Sequence, residues 1–320
     1  MSTQESTIGT DTVRDEMKAS ARTGERKRPV WMEKPSLLVQ IGKTLVLGIS
    51  VALVIVPFWS IIATSLASQE TINAAAGGMV MWPGPIDLSS YTAVLGGGVV
   101  TRAMIISILI TVVGTLLSLA TTAGLAYWLS RSGAAGAKPM TLLVLGAVLF
   151  TPGLIPTYLV VRQLGLIDSY WSLILPVMIN AFNVIVMRAF FQDLPRELFE
   201  SAAIDGASSA TILFRIVLPL SKAVLAVIGL FYAVSYWNAF FNALLYIQST
   251  DKWPMALVLR TYVVNQTSIG GDQLGATEAL PPQLSLQMAI LVIAVVPILL
   301  VYPFIQRHFA KGVMIGAVKG

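Results

Sequence analysis

Long stretches without charge alternate with short charged segments along this chain of 320 residues. A helix needs about 20 mostly apolar residues to cross the hydrocarbon core of a membrane. Six windows have this character and contain no Asp, Glu, Lys or Arg: residues 44–69, 103–130, 139–161, 169–187, 223–250 and 279–306. The pattern therefore predicts six transmembrane helices and an all-α polytopic membrane protein. Residues 71–101 are also poor in charge, but their many glycines and prolines predict an external loop.

The composition agrees with a membrane protein and excludes most soluble classes. Hydrophobic residues make up 56% of the chain and charged residues 12%, and the mean hydropathy is +0.77. A typical globular chain has about 25% charged residues. The chain has no cysteine and a single histidine, His308. A metal or catalytic site built on cysteine or on several histidines is therefore not expected.

The basic residues predict which side of the membrane each loop occupies. Sixteen Lys and Arg residues lie in the two tails and in the loops after the second and fourth helices, against four in the other loops, with Arg188 at the end of the fourth helix. Because cytoplasmic loops carry the excess of Lys and Arg, both termini are expected in the cytoplasm. The net charge of +5 then marks cytoplasmic segments in contact with a lipid bilayer rather than nucleic acid binding. The predicted regions are a tail at 1–43, a six-helix domain at 44–306 with its core at about 100–306, and a tail at 307–320.

The predicted spans lack an energy source of their own. Ion-coupled transporters place ionisable side chains inside the membrane, and these windows have none. The P-loop-like triplet Gly42-Lys43-Thr44 has Leu37 where the nucleotide-binding motif requires its first glycine. The chain is therefore not expected to hydrolyse ATP.

Prolines and amide side chains interrupt the apolar windows. Freed main-chain groups and amides inside a membrane need partners in other helices or in a water-filled cavity. A solute pathway and plain helix packing both explain these residues, and both interpretations stay open. The candidates for the pathway, chosen because aromatic faces and amides suit sugar C–H and hydroxyl groups, are Asn180, Asn183, Trp237, Asn238 and Asn242.

The connection at residues 192–222, between the fourth and fifth spans, is too long and too patterned for a simple loop. It predicts two short helices. Asp193 is expected to cap the first helix, and Gly206 is expected to end it. Ser208 is expected to cap the second, which should stop at Pro219. The apolar face of the first helix is predicted to consist of Leu194, Leu198, Phe199, Ala202 and Ala203.

This loop resembles a known signature. The run Glu200-Ser201-Ala202, then Asp205-Gly206, then after nine residues Ile216-Val217-Leu218-Pro219, is similar to the EAA motif of binding-protein-dependent ABC importer permeases. Ser201 stands where alanine is usual. Trp237-Asn238 and the ending Gly316-Ala317-Val318-Lys319-Gly320 resemble the second permease subunit of the maltose-type carbohydrate class. The stretch 281–320 most resembles a subgroup that takes up complex oligosaccharides such as plant cell wall or uronate fragments.

The resemblance implies a type I ABC importer permease fold with a cytoplasmic coupling helix, in a bacterial cytoplasmic membrane. It implies a heterodimer with a second permease subunit, a cytoplasmic ATPase dimer and an extracytoplasmic solute-binding protein. Such a chain forms half of the path for a sugar and holds no cofactor, while ATP and magnesium bind the partner ATPase. The residues expected to couple to that ATPase are Glu200, Ser201, Ala202, Asp205, Gly206, Ile216, Leu218 and Pro219.

Two rival functions remain at the level of sequence. A polytopic scaffold or sensor could use the same cytoplasmic loop to bind a signalling partner. A membrane enzyme would need an acid/base or metal-binding cluster, which the sequence does not offer.

Overall fold

The computed structural model describes residues 36–76, 78–131, 133–150, 152–274 and 280–317, without the side chains of residue 272 and residues 304–317. Most of the predicted N-terminal tail and the last three residues lie outside the described part. Within it the chain forms helices and turns and no strand.

The helices follow one another in this order. The first six are α1 Leu37–Ser65, α2 Gln69–Ala74, α3 Ser89–Leu95, α4 Val99–Ser130, α5 Ala137–Leu149 and α6 Leu154–Gln163. The next five are α7 Trp171–Ile174, extended by a 3₁₀ turn at Leu175–Val177, α8 Ala181–Gln192, α9 Arg196–Ile204, α10 Ser209–Ile212, extended by a π turn at Leu213–Val217, and α11 Leu218–Leu220. The last five are α12 Lys222–Trp237, α13 Phe240–Tyr246, α14 Met255–Leu259, extended by a π turn at Arg260–Val264, α15 Gly271–Leu274 and α16 Gln283–Ala317.

The chain divides into two compact units after Val56. In the first unit, the large apolar side chains of α1 from Leu37 to Val56 are exposed. The second unit begins at Pro57 and contains the remaining helices. There the end of α1 is fixed by polar contacts, since Thr64 accepts a hydrogen bond from the Val80 amide at 2.9 Å.

Among the described residues three helices are long and apolar enough to cross a membrane alone, namely α1, α4 and the part of α16 up to Pro303. Three bent pairs of helices meet the same criteria when each pair is taken together, which allows up to six spans by length and composition. These pairs are α5 with α6, α7–α8 with a bend of 52°, and the segment Ser209–Leu220 with α12, bent by 85°.

Spans 3, 4 and 5 are all broken where the sequence suggested continuous helices, span 3 between α5 and α6. Span 4, here α7 and α8, is interrupted between residues 174 and 181, because Pro176 lacks the amide needed to continue the helix. Span 5, here α12 and α13, is interrupted at Asn238 and Ala239. There the Asn238 side-chain amide donates to the Val234 carbonyl at 2.9 Å and takes part in ending the helix.

The main core lies where α4 packs along α12 and α8. Its buried side chains include Ile110, Tyr127, Met187, Ile228 and Tyr232. A second buried cluster joins the start of α4 to α3, α14 and the start of α16 through Val94, Val258 and Ile290. Both clusters place α4 at the centre of the second unit.

The segment between the predicted fifth and sixth spans contains a packed helix, α14. In α14 the side chains of Met255, Leu257 and Val258 are buried. The Met255 amide donates to the Ser107 hydroxyl of α4 at 2.7 Å. The helix was missed because it is far shorter than the window of about 20 residues that identifies a span.

Candidate coupling and translocation site

Helix α9 ends in a Schellman motif, a closed C-terminal turn that needs a left-handed residue. The Ala207 amide donates to the Ala202 carbonyl at 2.9 Å, and the Gly206 amide donates to the Ala203 carbonyl at 3.1 Å. Gly206 has φ +75°, in the left-handed region that favours glycine. The expectation that Gly206 ends this helix is confirmed.

One face of α9 packs on the bundle, and the other faces outwards. Ala202 is buried, and Leu194, Phe199 and Ala207 pack against the main core. Leu198 and Ala203, which were predicted on the apolar face, are exposed. The outward face carries Glu197, Glu200, Ser201, Asp205 and Ile204, whose side chain is 86% exposed. Sequence reasoning missed Ile204 because it departs from the four-residue spacing of the apolar stripe.

The predicted cap at Asp193 was wrong. Asp193 follows the last residue of α8, where its amide donates to the Ala189 carbonyl, and Pro195 directly precedes α9. Proline fixes φ near the helical value and lacks the amide that a first turn leaves unpaired, so it begins this helix without a side-chain cap.

The second half of the loop is anchored more deeply than the first. Ser208 caps α10 as predicted, since its hydroxyl accepts from the Thr211 amide at 3.2 Å. Ile212 and Val217 are buried in the main core, and Ile216 and Leu218 pack against it. The helix runs one residue past Pro219, to Leu220, and ends before Ser221 rather than at the proline.

Two arginines join the end of α4 to neighbouring elements. Arg131 donates to the Ser209 hydroxyl, and its guanidinium lies over the Tyr127 ring at 5.6 Å. Arg188 of α8 donates from Nε to the Leu129 carbonyl at 3.0 Å. The start of α10 and the end of span 4 are thus both tied to the same end of span 2.

The pathway candidates occupy two of the broken spans, spans 4 and 5. Asn180 precedes α8, and its side-chain oxygen accepts from the Asn183 main-chain amide at 3.1 Å. The Asn180 side chain therefore caps α8. Asn183 is buried, whereas Asn238 is exposed and donates to its own helix. Trp237 and Asn242 are half-buried on either side of the break in span 5. The side chains of Asn180 and Asn238 thus both bond to main-chain groups of neighbouring helical turns, as the packing interpretation expects.

A polar joint that the sequence did not reveal connects the loop after α6 to the loop after α13. Asp168 accepts from the Gln248 and Ser249 amides, from the Ser249 hydroxyl and from Lys252 Nζ at 2.8 Å. The Lys252 ammonium, followed by the Ser249 hydroxyl and the main-chain amides, holds the Asp168 pKa far below its usual range. These partners lie about 80 positions apart in the sequence, so no local pattern predicts them.

Residues 103–315 match the family described as binding-protein-dependent transport system inner membrane component. This chain belongs to that family. It is accordingly a permease subunit of an ABC importer, an inner-membrane component. The name coupling loop is used for its segment 192–222, which carries the EAA-like run.

Individual relatives cover most of the chain. It is 43% identical over 268 residues to the polygalacturonan/rhamnogalacturonan transport system permease protein YtcP of Bacillus subtilis (strain 168), covering 83% of this chain and 93% of that protein. It is 46% identical over 289 residues to protein LplC of the same organism, covering 90% and 97%. A solved bacterial ABC transporter involved in importing the acidic polysaccharide alginate superposes with a TM-score of 0.78 at 29% identity, covering 87% of this chain and 100% of that one.

Proposed function

We propose that this chain is one of two permease subunits of an importer that takes up uronate-containing oligosaccharides. The observation that carries the substrate class is the 43% identity to a permease named for polygalacturonan and rhamnogalacturonan transport. The likeness to a transporter of alginate, itself an acidic polysaccharide, supports the same class. In the proposed assembly a second permease, two ATPase subunits and an extracytoplasmic binding protein complete the transporter.

The energy for uptake comes from the partner ATPase, which binds ATP and magnesium. The exposed face of α9 is the part of this chain proposed to enter that ATPase. Glu200 provides a polar contact there, and the turn at Gly206 holds the helix at a fixed angle to α10. Ile216 and Leu218, which pack on the core, transmit the movement of the loop to the bundle, while Ser201, Ala202, Asp205 and Pro219 complete its shape.

The sugar path is proposed to run beside the broken spans 4 and 5, where Asn180, Asn183, Trp237, Asn238 and Asn242 lie. A helix break in a membrane is tolerated only where other protein groups or a water-filled cavity satisfy the freed main chain. Exposed Asn180 and Asn238 stand at the two breaks and are the first candidates for contact with sugar hydroxyls. In this proposal both termini and the loop 192–222 face the cytoplasm, as the positions of Lys and Arg indicate.

The test is uptake by the complete transporter reconstituted in vesicles with its binding protein outside and ATP inside. We expect uptake of short oligogalacturonides that requires ATP, and little uptake of a neutral malto-oligosaccharide of equal length. Glu200→Lys should reduce uptake while the complex remains in the membrane, and Glu70→Lys, a charge reversal of an exposed glutamate in α2 and outside the loop 192–222, serves as the control. Preference for the neutral sugar would overturn the substrate class.

A further inference from the structure

Two buried tyrosines of α12 hold the broken middle of span 4. Tyr232 and Tyr236 lie one helical turn apart, and each is at most 4% exposed. The Tyr232 hydroxyl accepts from the Asn180 amide at 3.0 Å, just before α8 begins. The Tyr236 hydroxyl donates to the Ile174 carbonyl at 3.4 Å, where α7 ends. The two hydroxyls therefore satisfy main-chain groups on both sides of the break.

The break takes the usual α-helical partner from each of these main-chain groups. The Met178 amide, which would bond to Ile174 in a continuous α-helix, donates to the Leu175 carbonyl instead. The Asn180 amide precedes α8 and has no helical carbonyl to bind. Inside a membrane an unpaired main-chain group is costly, so the tyrosine hydroxyls stabilise the break.

The same two hydroxyls also bond to α4. Tyr232 shares a hydrogen bond with Thr122 at 2.7 Å, and Tyr236 shares one with Ser118 at 2.8 Å. The Tyr236 ring lies so close to Gly114 that a Cβ at that position would be 2.8 Å from ring atoms. Both tyrosines are therefore held between span 2 and span 4 by hydrogen bonds, and the Tyr236 ring also packs directly against Gly114.

Helix α12 is also the direct continuation of the coupling loop. Only Ser221, which is fully buried, separates α12 from α11. At a rise of 1.5 Å per residue, Tyr232 lies about 15 Å along α12 from the start of the helix. This distance is about half the thickness of the hydrocarbon core. A movement of the loop that shifts α12 therefore reaches the hydroxyls that hold Asn180.

We propose that Tyr232 and Tyr236 are positioning residues that link movement of the coupling loop to the break in span 4 and so to Asn180. This inference rests on the proposed function, in which a partner ATPase moves the loop. A shift of α12 that left span 4 behind would break two buried hydrogen bonds. The break instead follows α12, and the surroundings of Asn180 change with each cycle of ATP binding.

The absence of native cysteine in this chain allows a direct test. Ile179, which is 50% exposed beside Asn180, is replaced by cysteine in the complete transporter. The rate at which this cysteine reacts with a water-soluble maleimide is measured by mass spectrometry of the labelled peptide, without nucleotide and after trapping with magnesium, ATP and vanadate. The ratio of the faster of these two rates to the slower one reports how far the break responds to the ATPase.

We expect Tyr232→Phe to lower this ratio about three- to tenfold, the range for one lost hydrogen bond. Tyr127→Phe is the matched control, since Tyr127 is a buried tyrosine whose hydroxyl has no partner among the described residues. Thr122→Val should lower the ratio as well, whereas Thr122→Ser, which keeps the hydroxyl, should preserve it. If the Tyr232→Phe variant fails to assemble, the comparison of Thr122→Val with Thr122→Ser still tests the inference.

An unchanged ratio in Tyr232→Phe and Thr122→Val, or equal loss in Tyr127→Phe, would overturn the inference. The inference would also be overturned if the labelling rate in the parent protein were the same with and without nucleotide. Labelling requires no sugar, so a parent that responds to nucleotide but takes up no oligogalacturonide would refute only the substrate proposed above. Normal uptake without any change in labelling would refute only the link through the tyrosines.

Discussion

Among single residues, Gly206 tests the coupling loop most directly. A Cβ at this position would meet nothing within 4 Å, so a substitution acts through the backbone alone. Its φ of +75° suits glycine or asparagine and is a severe outlier for a β-branched residue. We expect Gly206→Asn to retain most ATP-driven uptake and Gly206→Val to lose most of it, at similar amounts in the membrane. Equal uptake by the two variants would contradict a role for this turn.

Asp168 gives a prediction about pH. Because its pKa is lowered in the folded protein, its contribution to stability is fully present above the unfolded value of about 3.9 and is lost only as pH falls below it. We therefore expect Asp168→Asn to lower the melting temperature by the same amount at pH 5, 6, 7 and 8. Asparagine also tolerates the left-handed φ of +60° at this position, so the variant removes the charge and one acceptor oxygen without straining the backbone.

Thermal unfolding of the purified protein in detergent measures this effect. Asp251→Asn is the control, since it changes an exposed neighbouring carboxylate that forms no ion pair in the described part of the chain. A difference in melting temperature that appears only towards pH 8 would contradict the assignment, because a lowered carboxyl pKa has no transition in that range.

At the scale of elements, two local signals in the loop 192–222 were read correctly from the sequence, whereas the cap at Asp193 and the long-range contacts were not. Ser208 as a cap and Gly206 as a terminator depend on residues within one turn, so the sequence contains the whole signal. The break in span 4 depends partly on Pro176, which is visible, but its tyrosine partners lie more than 50 positions away. The apolar face of α9 was only partly right, because the bundle determines which side of a short helix is covered.

Helix α14 offers a prediction at this scale. The buried Met255 amide depends on the Ser107 hydroxyl of α4, so Ser107→Ala leaves an unpaired donor at the start of α14. We expect a loss of stability of about 1–3 kcal/mol, the usual cost of leaving a buried polar group unsatisfied. Faster amide hydrogen exchange at residues 255–258 should accompany it.

Ser130→Ala is the control for this prediction, because the Ser130 hydroxyl bonds only to the Tyr127 carbonyl of its own helix. Its effect on stability should be small, and exchange in α14 should not change. If both serine variants behave alike, α14 does not depend on this bond.

At the scale of the whole molecule, charge and polarity separate by location. Among the described residues the one ion pair, between Lys252 and Asp168, lies in connecting segments, and buried polarity inside the bundle consists of hydroxyls and amides. Hydroxyl pairs such as Ser118–Tyr236 and Thr122–Tyr232 hold the spans together without burying a charge, which would be costly in lipid. In the proposed assembly the energy comes from the partner ATPase, through the loop 192–222 on the predicted cytoplasmic side.

The distribution of Lys and Arg then predicts the orientation of the molecule. Sixteen of these residues fall in the segments assigned to the cytoplasm and four in the others, so both termini should face inwards. We expect a fluorescent protein fused after Gly320 to fluoresce and an alkaline phosphatase fused there to be inactive. A phosphatase inserted after Gly84, in the loop between the first two spans, should be active, and one inserted after Gly136 should not. Active phosphatase at Gly136 would reverse the orientation, and the loop 192–222 could then no longer meet a cytoplasmic ATPase.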